Sequence, residues 1–121
     1  MNSDPSLPAE LNPPELRRYL RRVGDRWQLD AAYLGGARLA DIRGAGAQRE
    51  RGPEYVLVLV SEHFDGVPWL ERVHQCGMLW DTREMRGQAE VHCYTPLELE
   101  RKVAQLRKVR DVVEDGVDLL A

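Results

Sequence analysis

Apolar and polar positions divide the chain into short segments. Leu16, Tyr19, Leu20 and Val23 recur three or four residues apart, which marks one face of a helix. Pro14 fits its first turn and Gly24 ends it. Leu29 to Gly35 reads as a strand closing on a glycine pair, Gly35-Gly36, and Ala37 to Arg43 as a short helix. Residues 44–53, GAGAQRERGP, carry no apolar period and read as a loop. Glu54 to Ser61, EYVLVLVS, is the clearest element. A β-branched run of this kind belongs to a strand covered on both faces.

Asp65-Gly66 signals a turn, and Val67 to Trp80 then fits a helix. Its apolar side is Trp69, Leu70, Val73, Cys76 and Gly77. Asp81 to Gln88 reads as a polar connection and Ala89 to Tyr94 as a third strand. Thr95-Pro96-Leu97-Glu98 has the spacing of a capping box with proline at the first helical position. It predicts one long helix with a stripe of Leu99, Val103, Leu106, Val109 or Arg110, and Val113, ended by Gly116. Val117 to Leu120 either pairs as a short strand or docks. Met1 to Pro13 reads as a flexible lead-in, leaving residues 14–121 as one domain. The order α-β-α-β-α-β-α predicts an α/β (α+β) domain with a small mixed sheet flanked by helices. Glu54–Ser61 is expected at its centre, between Leu29–Leu34 and Ala89–Tyr94, because edge strands avoid such apolar runs.

A length of 121 residues suits one domain and is too short for a TIM barrel. With 17 basic and 20 acidic residues the formal charge is −3, which argues against a nucleic-acid partner. Arg17, Arg18, Arg21 and Arg22 form one basic face, and Arg101, Lys102, Arg107, Lys108 and Arg110 another. Both read first as solvated helix surface and second as phosphate contacts. Only Tyr19 and Trp27 offer rings near the first face. Two cysteines make no disulfide framework, and no secretory leader is visible in the opening residues. The longest apolar run, Val56–Val60, is far below the ~20 residues that cross a bilayer. These features predict a cytoplasmic protein without membrane contact. Arginine supplies 15 of the 17 basic residues, a bias typical of GC-rich prokaryotic genomes. His63, His74, His92, Cys76 and Cys93 do not fall at spacings that converge on a metal, and nothing marks a Cys–His nucleophile. Trp69 and Trp80 read as core. Exposure of either beside Met78 or Leu79 would mark an interface.

The candidate chemistry lies at Gly35-Gly36. A glycine pair between strand and helix lets backbone N–H groups approach an anion at the positive end of the helix. Arg38, within the first turn, adds a charged contact. The expected ligand is an anion or nucleotide bound weakly there, with no reaction following. The wider context is A-Y-L-G-G-A-R (Ala32–Arg38), a glycine-rich loop, the strand opening at Glu54, and a later strand running into Tyr94-Thr95-Pro96-Leu97-Glu98. This order resembles the small nucleotidyltransferase-like domains of the DNA polymerase beta type, from Leu29 to the C-terminus. Their pattern is roughly Y-L-F-G-S-R-A, a loop, a D-x-D pair opening a strand, and a third carboxylate on a later strand.

In that family the Gly-Ser turn holds a triphosphate, and three carboxylates bind two divalent metals. Here Gly35 matches the glycine and Gly36 replaces the serine. Glu54 falls at the first carboxylate, Val56 at the second and Glu90 near the third. Glu54 and Glu90 are therefore remnants of a catalytic set that lacks its central member, so no metal site and no cofactor are expected. The resemblance implies a domain that has lost its metal centre and serves as a nucleotide- or anion-binding or protein-interaction module. The partner it implies is a helical protein of the HEPN type or a second copy of the chain. One alternative is an active nucleotidyltransferase using Glu54, Glu90 and a single magnesium ion. Another is a small dimeric structural protein without ligand. Replacing Val56 by Asp is the change expected to strengthen metal binding most.

Overall fold

A computed structural model describes residues 7–44 and 52–121. The mixed α/β domain expected from the pattern is present. Its sheet has four strands: β1 (Ala31–Gly35), β2 (Tyr55–Val60), β3 (Ala89–Tyr94) and β4 (Val117–Asp118). Their spatial order is β3-β2-β1-β4. β1 runs antiparallel to β2 and to β4, while β2 and β3 are parallel. The terminal segment therefore pairs, with Val117 opposite Leu34.

All six residues of β2 are buried, because each of its faces carries a separate core. Tyr55, Leu57 and Leu59 join Leu16, Tyr19, Leu34, Cys76 and Cys93 on one side. Val56, Val58 and Val60 meet Tyr94, Val109 and Val112 on the other. Alternation along the strand thus serves two layers of helices. Helices α1 (Pro13–Gly24) and α3 (Trp69–Met78) contribute to the first layer. α6 (Arg107–Asp115) covers the second, and α5 (Pro96–Gln105) leans on β3. α2 is the short helix Ala37–Ile42.

Four expectations change. The lead-in was expected to be flexible through Pro13, yet Leu11 is wholly buried in a 3-10 turn, Ala9–Leu11, so the packed body starts before Pro14. Residues 1–6, and most of the loop expected over 44–53, lie outside the described residues. The polar connection contains a helical turn, α4 (Thr82–Met85), capped by Asp81 and burying Met85. The long helix after Thr95 is two helices. Leu106 is extended between them (φ −116°, ψ 111°), which lets α5 follow β3 while α6 crosses β1 and β2. Finally, α3 keeps Cys76 and Val73 of the expected side against the core, but it also buries Arg72 and exposes Leu70 and Trp69.

Candidate functional site

Gly35 pairs with Val56 across the antiparallel strands. The chain leaves β1 through Gly36 at φ +114°. A Cβ at that position would lie 2.6 Å from the Glu54 carbonyl oxygen and 2.7 Å from the Tyr55 Cα. Glycine is required there by the passing backbone of β2, and a serine does not fit. The next two amides are already engaged: Ala37 N–H donates to the Pro53 carbonyl (2.9 Å) and Arg38 N–H to that of Glu54 (3.0 Å).

Arg38 is directed elsewhere. Its Nε donates to Glu54 Oε1 (3.1 Å), its Nη1 to the Tyr55 hydroxyl (3.1 Å) and its Nη2 to the Arg86 carbonyl (2.7 Å). Gly35 and Gly36 line a groove of about 570 Å³ with Arg43, Arg107, Lys108 and Asp111. Arg38 lines a different cavity, beside Arg17, Arg83 and Arg86. Gly35 and Gly36 thus line one cavity and Arg38 another. The cause is the segment leading into β2, where Pro53 and Glu54 supply acceptors to the amides and the Glu54 carboxylate holds the guanidinium.

The two carboxylates also have protein partners. Glu54 takes Arg38. Glu90 stands beside Val56 in the parallel register. Its carboxylate accepts from Lys108 Nζ (3.1 and 3.3 Å) and lies 2.7 Å from His92 Nε2. His92 Nδ1 is in turn 2.9 Å from the Tyr94 hydroxyl. Glu90, His92 and Tyr94 alternate along one face of β3, so a two-residue period builds this chain of contacts. Burial pushes the Glu90 carboxyl up, but His92 and Lys108 together outweigh it and hold it below its ordinary range. Burial pushes the Tyr94 phenol up to about 12, aided by Cys93, Glu90 and Glu98, so it stays neutral.

A divalent pair does not fit these residues. Hard cations take oxygen ligands free of competing cations. Here Arg38 and Lys108 occupy the two carboxylates, and Val56, 3% exposed, offers none between them. Among the described residues, no group of three His, Cys, Asp or Glu side chains is placed to hold a metal ion. Glu54 and Glu90 share a cavity with Pro53, Gln88 and Ala89, and Pro53 also lines the glycine groove.

The sequence reading missed Arg72. Its guanidinium is buried and donates to the carbonyls of Val67 (2.8 Å) and Cys93 (3.2 Å) and to Glu98 Oε1 (2.7 Å). The first basic face also shrinks, since Arg18 and Arg22 both hold the buried Glu15. Tyr19 does lie by that face, with the Arg22 guanidinium 6.0 Å from its ring centroid, and a second group of rings, Trp69, His92 and Tyr94, gathers beside Arg101 and Lys102 of the other face. Trp80 is core, packed against Tyr19 and Tyr55, whereas Trp69 is exposed. The regular Glu90-x-His92-x-Tyr94 spacing was a visible signal for the β3 chain. No local signal pointed to Arg72. Comparison with protein-family models and with curated proteins found no match. No helix among the described residues is long and apolar enough to cross a membrane.

Proposed function

We propose that the chain is a nucleotidyltransferase-like domain that has replaced its metal centre with ion pairs and works as a binding module without transfer chemistry. One observation carries this reading. A cation of the protein stands at each carboxylate of the expected catalytic set, Arg38 at Glu54 and Lys108 at Glu90, and Val56 fills the place between them. A magnesium ion would have to displace both partners and still lack its bridging ligand.

The strand arrangement supports the class. A strand ending in the glycine pair runs antiparallel to the one headed by Glu54, and Glu90 lies on the parallel neighbour. Engagement of the Ala37 and Arg38 amides favours a protein partner over an anion at Gly36. A helical protein of the HEPN type, or a second copy, would meet the exposed Leu70 and Met78 of α3. Two free, buried thiols, Cys76 and Cys93, suit a reducing cytosol.

The test joins calorimetry with magnesium and manganese to incubation with labelled nucleoside triphosphates. The expected result is no tight metal binding and no label passed to protein or RNA. A low-micromolar dissociation constant, or any transfer, overturns the reading.

A further inference from the structure

Another cavity lies between the start of α3, the end of β3 and α5. Its volume is about 590 Å³, within the range of small-ligand sites. Trp69 and Tyr94 stack along one wall, with centroids 5.1 Å apart and planes inclined by 27°. The stack is one-sided. Tyr94 is 3% exposed and Trp69 39% exposed, so the lower ring is sealed and the upper ring is open. Arg101 and Lys102 line the same cavity. Neither has an ion-pair partner among the described residues, whereas Glu98, the cavity's carboxylate, is held by Arg72. An open indole beside two uncompensated cations is a complementary surface for a ring that carries negative charge.

The cavity is also held in shape. Arg72 ties the loop carbonyl of Val67, the β3 carbonyl of Cys93 and Glu98 of α5 to one guanidinium. The Tyr94 hydroxyl is fixed by His92 and stays neutral, so the sealed ring adds no charge that would repel an anion. A preformed site of this kind loses little ordering entropy on binding.

We propose that this cavity binds a flat aromatic or heteroaromatic ring bearing an anionic group, with the ring on Trp69 and the anion between Arg101 and Lys102. A nucleoside monophosphate and an aromatic carboxylate share this chemistry.

Tryptophan fluorescence titration tests it with adenosine monophosphate and indole-3-carboxylate as full probes. Adenosine and ribose 5-phosphate serve as half-probes. At least one full probe is expected to quench emission saturably, about tenfold more tightly than either half-probe. Which full probe binds more tightly identifies the source of the ligand. Trp69→Ala should abolish the signal. The surface variant Arg101→Glu/Lys102→Glu leaves the ring stack intact and should weaken binding by about tenfold. It decides the matter if Trp69→Ala fails to fold. Absence of saturable binding by both full probes, equal binding of a half-probe, or unchanged affinity in the charge-reversed variant overturns the proposal.

Discussion

A methyl group at position 36 would meet three backbone atoms of Glu54, Tyr55 and Val56 at the start of β2, all within 2.9 Å, on a chain already at φ +114°. Backbone cannot swing aside as a side-chain tip does, so Gly36→Ala combines backbone strain with overpacking. The expected cost is about 3 kcal/mol in urea unfolding. Gly44 is the control, because it too has a positive φ, +80°, but meets nothing within 4 Å. Gly44→Ala should cost only the left-handed penalty, about 1 kcal/mol. Equal costs at the two sites would refute the close-approach account. Read from the sequence, Gly35-Gly36 looked like an anion cradle. That reading and the observed one both demand glycine, and the neighbour that separates them comes from a strand well downstream. Local pattern names the residue type without naming what stands against it.

Among the elements, β2 was legible because burial on both faces leaves its mark on every residue. The capping box at Thr95 was legible because its two hydrogen bonds are local. The break at Leu106 was not, since neither proline nor glycine stands there and the cause is the different strands that α5 and α6 must cover. The α4 turn carried an overlooked cap, Asp81 followed three residues later by Glu84. Arg72 links α3 to α5 through Glu98, and this link depends on pH. The Arg72 hydrogen bond is the main reason the Glu98 carboxyl titrates below its ordinary range. A depressed carboxylate contributes stability above its unfolded pKa of about 4.3 and loses it as pH falls through the folded value. The wild type should therefore lose stability faster than Glu98→Gln as pH drops from about 5 toward 3. Thermal melts across that interval check the sign. Parallel curves would show that the Arg72–Glu98 pair does not couple folding to protonation.

At the scale of the whole molecule, one three-layer body holds both cores, and on the proposed reading β2 is where a metal site would compete with a stable sheet. Val56 packs toward Val109 and Val112 on one side of the sheet and lies beside Glu90 in the register. Sequence alone made Val56→Asp the change most favourable to metal binding. The structure adds that the new carboxylate would be buried under α6, beside a glutamate whose charge Lys108 already balances. Without metal, the substitution should destabilise by about 3 kcal/mol, the cost of a buried and poorly compensated charge. A ligand that binds only the folded state raises stability by mass action. Magnesium in the millimolar range should therefore leave Val56→Asp unimproved, because Lys108 still holds Glu90. It should recover part of the loss only in Val56→Asp/Lys108→Ala, where Glu90 keeps His92 alone and no lysine stands at the two adjacent carboxylates. Chemical melts of the wild type and both variants, with and without magnesium, supply the comparison. Rescue of the single variant would mean that the lysine yields readily and that the ion pairs do not exclude metal. No rescue of the double variant would mean that Glu90 and residue 56 cannot converge on one ion, and the correspondence of this sheet with a nucleotidyltransferase centre would fail with it.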